Sequence, residues 1–239
     1  MSSTSISAVL AGANAAMVGP DLDITGALAQ LLTGVVAALP ATAAAVLVDV
    51  DDSLEVLAAT SHRALDLEMH QAQTDEGPCL DALRGGEEVH EVGAEALARR
   101  WPATGPFIVE SGYLSVQAMP LSWHGHTFGG LNIFRAQAEG FEHQQADCRA
   151  LADAVTLLIV SAQVDHEHLA TGLHAALEDR SVIEQAKGAL AYTRSLDMAE
   201  AFDALVALAD EEGLTLGVAA RGVMARARQG TLSGPRRGS

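Results

Sequence analysis

The chain has 239 residues, with 14 Lys+Arg against 31 Asp+Glu and a formal charge of −17. That length accommodates two modest domains, and that charge excludes a general nucleic-acid binder with a basic surface. Apolar residues make up 49% and aromatics only 4%, so core material is plentiful, rich in alanine, and points to many helices.

The charge is uneven. Residues 1–170 hold 6 Lys/Arg and 22 Asp/Glu, and residues 171–239 hold 8 and 9. A near-neutral segment attached to a very acidic one is still able to bind RNA through a few placed cations, with strong salt dependence. Cys79 and Cys148 lie far apart with no CxxC spacing, which argues against a disulfide framework or structural zinc. Met1–Met17 lacks the basic n-region of a secretory signal. The longest apolar run, Ala154–Ala162, is far short of a membrane span. A cytoplasmic protein with no membrane contact is the expectation.

Residues 1–20 are small and polar and read as a flexible tail or fraying helix. Asp23 is placed to cap a helix carrying Ile24, Leu28, Leu31, Leu32, Val35, Val36 and Leu39, stopped by Pro40. Ala43–Val50, the turn-forming cluster Asp49–Ser53 and Leu54–Thr60 predict a hairpin, with His62 at the end of its second strand. Asp75–Leu83 reads as a loop entering a helix that stops at Arg84-Gly85-Gly86. Val89–Val92 predicts a short strand, and Leu97–Trp101 one helical turn. Tyr113–Leu121 and Phe128–Phe134 are the clearest strands, joined through His124-Gly125-His126. From Glu142 the pattern is helical with no strong breaker until Gly172. The order predicts an α+β domain, an antiparallel sheet with helices to one side, followed by a long connecting helix.

The last third predicts a three-helix bundle. Its first helix spans about His166–Tyr192. The second starts at Asp197, where Asp197-Met198-Ala199-Glu200 is a capping-box pattern. It carries Ala201, Phe202, Leu205 and Leu208 and ends at Gly213. Thr215 is placed to cap the third helix, with Leu216, Val218, Ala219, Val223 and Met224. Arg180, Lys187 and Arg194 recur every seven residues and share one side of the first helix. Small residues beside them, Ala186, Gly188 and Ala191, would let a phosphate backbone approach. Arg binds phosphate with two parallel donors and Lys as a point charge; Tyr192 would stack on a base. The structural alternatives are that Arg180 and Lys187 pair with Glu184 and that Tyr192 packs. Without the resemblance described next, a small dimerisation bundle is an equal reading.

Arg180-Ser181-Val182-Ile183-Glu184-Gln185-Ala186-Lys187-Gly188, together with Ala201-Phe202, Leu205 and Val218-Ala219, resembles the ANTAR family of RNA-binding antiterminator domains. The preceding element order, with the stretch Gln73-Thr74-Asp75-Glu76-Gly77-Pro78-Cys79, resembles a GAF domain, a sensor fold close to PAS. The chain as a whole looks like an actinobacterial GAF–ANTAR regulator of the AmiR/NasT type. The resemblance implies a tail over residues 1–20, a GAF sensor over 21–162, an ANTAR domain over 163–229 and a tail over 230–239. It further implies a homodimer whose ANTAR domains bind tandem hexaloop stem-loops in mRNA leaders and so prevent transcription termination. The implied RNA-binding residues are Arg180, Ala186, Lys187, Gly188, Tyr192, Arg194 and Arg221. Arg221 is a candidate replacement for an arginine that many family members carry where this chain has Val206. Asp210-Glu211-Glu212 would repel phosphate if they faced it, which keeps open a dimeric ligand-binding or interaction module that has lost RNA binding.

A GAF domain commonly holds a small ligand, among them cyclic nucleotides, haem, linear tetrapyrroles and metabolites; nothing in this sequence selects a cofactor. Asp75, Glu76 and Cys79 are the candidate ligand or redox residues. Cys79 begins a helix, where the dipole would lower its pKa; the alternative is that it packs as a small hydrophobe. His62, His124 and His126 are weak candidates for an axial ligand, and His166 and His168 for a pH-sensitive seam. Some GAF folds reduce free methionine sulfoxide, which takes several cysteines in relay. That requirement, with the lack of P-loop, GxSxG, HExxH or dinucleotide motifs, argues against an enzyme. No metal site is expected.

Overall fold

Two strands, Ala43–Val50 (β1) and Ser53–Ala59 (β2), pair antiparallel next to Asp51, which takes a positive φ of 52°. Val89–Val92 (β3), Ser115–Trp123 (β4) and His126–Arg135 (β5) complete a five-stranded sheet of order β2-β1-β5-β4-β3, antiparallel throughout. His124 and Gly125, with φ of 49° and 80°, form the two-residue turn between β4 and β5, the geometry that suits the twist of a hairpin. The computed structural model describes residues 5–18, 23–51, 53–161 and 169–229. The chain divides into two units, one built chiefly from residues 27–174 and one from 175–239.

The first unit adds seven helices among the described residues: Ile6–Val18 (α1), Ile24–Ala38 (α2), His62–Thr74 (α3), Pro78–Gly85 (α4), Ala94–Arg100 (α5), Thr104–Glu110 (α6) and Gln145–Ser161 (α7). The residues read as a tail or fraying helix contain α1, which buries Val9 and Ala13 and packs on α7. Asp23 caps α2 by accepting from the Gly26 N–H at 2.9 Å. α3 lies on β1 and β2, α4 on β4 and β5, and α7 on β4.

Helices to one side of the sheet is corrected here. In β4 the seven residues from Ser115 to Leu121 are all buried. Successive side chains on a strand point to opposite faces, so an unbroken buried run requires both faces to be covered. His62 is also corrected: it does not end a strand but opens α3, because the preceding Ser61 is an N-cap whose hydroxyl accepts from the Ala64 N–H.

The core includes Trp101, Ile108, Tyr113 and Phe134, with the Tyr113 and Phe134 rings stacked at 4.9 Å. Two glycines in β5 set how closely its neighbours approach. A Cβ on Gly129 would lie 2.6 Å from the Leu47 carbonyl oxygen, and one on Gly130 would lie 2.5 Å from Cys79 Sγ. β1 and the start of α4 therefore sit against bare backbone.

The second unit is the three-helix bundle, made of Leu169–Arg194 (α8) from residue 175 on, Met198–Glu212 (α9) and Leu216–Arg228 (α10). Ile183, Ala186, Leu190, Ala201, Leu205, Ala209, Ala219 and Val223 are among its buried core, and the many alanines let the helices approach closely. The predicted capping box is present: Asp197 Oδ1 accepts from the Ala199 and Glu200 N–H groups, and Glu200 Oε2 accepts from the Asp197 N–H. Gly213 ends α9 with a φ of 63°, and Thr215 caps α10 through the Val218 N–H. The expected unbroken helix over 142–192 is represented by α7 and α8; the stretch between them, with His166 and His168, lies outside the described residues.

Asp197→Ala removes both side-chain bonds at the start of α9, a loss of about 1 kcal/mol. The expected result is a lower urea midpoint for the bundle's helical signal, with the m-value unchanged; an unchanged midpoint would show that the cap is not needed.

Candidate functional site

Helical phase sorts the candidate residues of α8. Ile183, Ala186 and Leu190 are at most 4% exposed and enter the bundle core. Ser181, Gln185, Gly188 and Tyr192 recur at spacings of four, three and four on the exposed opposite side. Ala186 is thereby corrected as an RNA-binding residue: it is fully buried, and its small side chain serves helix packing. Gly188 is exposed, with nothing within 4 Å of an added Cβ. Tyr192 is 76% exposed, so the alternative that it packs in the core does not hold.

Arg180 and Lys187 share an edge of α8 between these two sides. Lys187 Nζ lies 2.8 and 3.1 Å from the two carboxylate oxygens of Glu184 and 5.6 Å from the centre of the Phe202 ring. Its side chain is only 15% exposed. The expected pairing with Glu184 is thus present for Lys187, and the ammonium is held against α9. Arg180 is half-buried and Arg194, in the last turn, is exposed. Arg221 on α10 pairs with Asp179 of α8. Asp179 and Tyr192 are thirteen residues apart, which places them on different sides of the helix. Arg221 and Tyr192 are therefore not brought together.

The remaining family departures are also placed. Val206 is half-buried against the bundle core. Asp210, Glu211 and Glu212 are exposed at the end of α9, and Glu212 lies 3.9 Å from Arg226.

In the first unit, Asp75, Glu76 and Cys79 each hold the fold. Asp75 takes a left-handed φ of 55° and pairs with Arg84. Glu76 Oε1 accepts from the Ala103 and Thr104 N–H groups at 2.8 and 2.9 Å and so caps α6. The Thr104 hydroxyl returns a bond to the Glu76 carbonyl at 2.7 Å. Cys79 is 1% exposed, and burial, then the nearby Glu68 carboxyl, push its thiol well above the usual range. The expectation that a helix dipole lowers that pKa is overturned: desolvation in a packed core outweighs a partial charge at a helix end. Cys148 is buried as well, and burial pushes its thiol up to about 12. His124 and His126 are exposed. No group of three His, Cys, Asp or Glu side chains among the described residues is arranged to hold a metal ion.

A polar cluster that sequence reasoning missed lies beneath this loop. Glu68 and Gln71 of α3 and Asn132 of β5 are all fully buried. Gln71 Nε2 donates to Glu68 Oε2 at 2.8 Å, and Asn132 Nδ2 lies 2.6 Å from Glu68 Oε1. Gln71 Oε1 accepts from the Cys79 N–H at 3.1 Å. Asn132 Oδ1 has no partner. Burial raises the Glu68 carboxyl to about 8, against a smaller lowering by Asn132. The signal was present in the sequence: Ala64, Leu67, Glu68 and Gln71 follow the i, i+3, i+4, i+7 spacing of a buried helix face, with two polar residues on it.

Comparison with known proteins follows this division. Residues 171–224 match the family model for the ANTAR domain. The GAF domain of an Acinetobacter phosphoenolpyruvate-protein phosphotransferase is similar at 15% identity, covering 67% of this chain and 95% of its own, with a TM-score of 0.51. A GAF domain from A. aeolicus in an inactive state is similar at 11% identity, covering 66% and 97%, with a TM-score of 0.52. The phycoerythrobilin-bound GAF domain of a cyanobacterial phytochrome is similar at 14% identity, covering 70% and 100%, with a TM-score of 0.52. At these identities the likeness shows the fold. No curated protein matches the chain. A unit with the GAF fold is thus followed by a bundle that matches the ANTAR domain model, and no helix among the described residues is long and apolar enough to cross a membrane.

With both thiols buried and raised, a thiol reagent at neutral pH is expected to label the native chain slowly and the urea-unfolded chain fast. Rapid labelling of Cys79 in the native protein would restore it as a reactive thiol.

Proposed function

We propose that this chain is a signal-responsive antitermination regulator acting in the cytoplasm as a homodimer. The GAF-fold unit takes the signal, a small ligand. The ANTAR bundles, one from each protomer, bind tandem hexaloop stem-loops in a nascent mRNA leader and prevent a terminator hairpin from forming. The supporting observation is Tyr192: a 76% exposed ring on the helix that the ANTAR model matches, on the same side as Gly188. An exposed aromatic beside a bare stretch of backbone suits stacking on an unpaired loop base. Arg180, Lys187 and Arg194 line another edge of the helix, well round from Tyr192, where phosphates would pass only if the RNA backbone wraps the helix. In this reading Lys187 acts from a half-buried position fixed by Glu184 and Phe202, while Arg194 meets solvent directly. Arg221, tied to Asp179, supports the bundle rather than the loop contact.

A second reading is favoured by the acids. Asp210 and Glu211 are exposed, Glu212 lies beside Arg226, and Asp179 occupies Arg221. A bundle in which Lys187, Arg221 and Arg226 already lie beside carboxylates is also suited to protein contact alone.

The two readings separate in a titration of the full chain against an RNA with two hexaloop hairpins and against a loop-scrambled control, at two salt concentrations. The proposed function predicts loop-dependent binding that weakens with salt. Tyr192→Ala is expected to lose about 1–3 kcal/mol of affinity, the worth of one base stack, and Arg194→Ala to weaken binding and reduce the salt slope. Lys187→Ala is expected to weaken binding without unfolding the bundle. Equal affinity for both RNAs, in a folded dimeric protein, would favour the interaction module.

A further inference from the structure

The carboxyl of Glu68 is fully buried and, among the described residues, no cation pairs with it. Its two bonding partners are side-chain amides, Gln71 on its own helix and Asn132 on β5. A buried carboxylate is ordinarily matched by a cation or by several donors, because leaving it charged in a low-dielectric interior is costly. Backbone passes close to two of the groups that neighbour it. A Cβ on Gly130 would come within 2.5 Å of Cys79 Sγ, and one on Gly77 within 2.2 Å of Gln71 Oε1. The smallest possible partner is a proton.

Geometry at Asn132 agrees. The 2.6 Å separation between its Nδ2 and Glu68 Oε1 is short for an amide N–H bond to oxygen and ordinary for an O–H bond. Amide nitrogen and oxygen are interchangeable by a half-turn of the side chain. With Asn132 turned over, a protonated Glu68 donates to the Asn132 oxygen at that distance.

The titratable and charged groups around α3 do not compensate a charge on Glu68. α3 is packed by β1, β2, α4 and α6. α4 brings the Cys79 thiol, which Glu68 itself pushes upward; its Asp81 is engaged by Trp101 and Arg100, and its Arg84 by Asp75. β1 has only Asp49, near its end; Glu55 of β2 and Glu110 of α6 are exposed. On β5, Arg135 bonds to Gln144 and Gly140, and His126 is exposed. On α3 itself, His62, Arg63 and Asp66 are exposed, and the His70 ring stacks on Phe107 at 4.4 Å.

We infer that Glu68 is a proton-binding site that couples pH to the packing of α3 and α4 on the sheet. The inference rests on the sensor role proposed above only for its consequence at the RNA, not for the site. When the proton leaves to water, the carboxylate has two amide donors and no cation. Solvation of the charge requires water to reach it, so α3 separates from β5. Gln71 moves with α3 and releases the Cys79 N–H at the start of α4.

The sign follows from linkage. The folded-state value, about 8, lies above the ordinary 4.5. The stabilisation is complete below 4.5 and is lost as pH rises to about 8, above which it changes no further. Opening of this region therefore grows about tenfold per pH unit across that window.

The test uses the full chain labelled with ¹³C at the glutamate carboxyls. One carboxyl resonance is expected to titrate near pH 8 and to be missing from Glu68→Gln. Amide exchange in α3 and α4, corrected for the intrinsic pH dependence of exchange, is expected to lose protection about tenfold per unit between pH 6 and 8. In Glu68→Gln it stays constant. Titration of every glutamate carboxyl below about pH 6, or an equal pH response in the two proteins, would overturn the inference. The wild-type resonance decides the matter alone should Glu68→Gln fail to fold. RNA titrations at pH 6 and 8 run beside it. Loop-dependent binding that shifts with pH in wild type and not in Glu68→Gln supports coupling. If no RNA binds at either pH while Glu68 titrates as expected, the RNA reading fails and the proton site stands.

Discussion

The carboxamide of Gln71 is the contact on which the loop from α3 to α4 depends. One end holds the Glu68 carboxyl and the other accepts the Cys79 N–H at the start of α4. Gly77, at a φ of 146°, passes so close that a side chain there would overlap Gln71. The turn from α3 into α4 is thus wrapped around a single buried amide. Glu76, one residue before that glycine, reaches the other way and caps α6. The Asp75-Glu76-Gly77-Pro78-Cys79 stretch therefore joins three helices, and its chemistry is structural before it is anything else.

This arrangement places polar groups where the fold otherwise packs apolar ones. Trp101, Tyr113, Ile108 and Phe134 supply a conventional core, stabilised by removal of apolar surface from water. Glu68, Gln71 and Asn132 lie in the same layer of helix on sheet and satisfy one another only in part. A cluster of this kind is tied to protonation in a way that the surrounding aliphatic core is not. The fold by itself specifies no ligand.

The bundle follows a simpler logic. Its helices are held by alanine-rich contacts and by caps at Asp197, Thr215 and Gly213. Two of its cations are drawn into pairs: Lys187 with Glu184, Arg221 with Asp179. These pairs sit between helices or along one, so part of the positive charge counted in the sequence serves the fold. Tyr192 stands outside that system, exposed near the end of α8.

Much of the architecture was legible in the sequence because it rests on local rules. The hairpin turn at His124-Gly125, the capping box at Asp197, the stop at Gly213 and the strand pairs of β1–β2 and β4–β5 each follow from a few neighbouring residues. α6 was not legible by the same means, since it is a short segment containing Gly105 and Pro106; α3 has helical spacing, but polar Glu68 and Gln71 on its inner face break the apolar stripe. Tertiary structure alone decided which small and charged residues face inward. Ala186 and Gly188 are two residues apart and chemically alike, yet one is core and the other bare surface. Cys79 at a helix start reads as activated until the chain closes over it. Burial is a property of what arrives from far along the chain, here Gly130 and Asn132 of β5. Sequence spacing fixes which residues share a helix face, whereas the depth of that face, and with it the protonation of Glu68, is set only by packing.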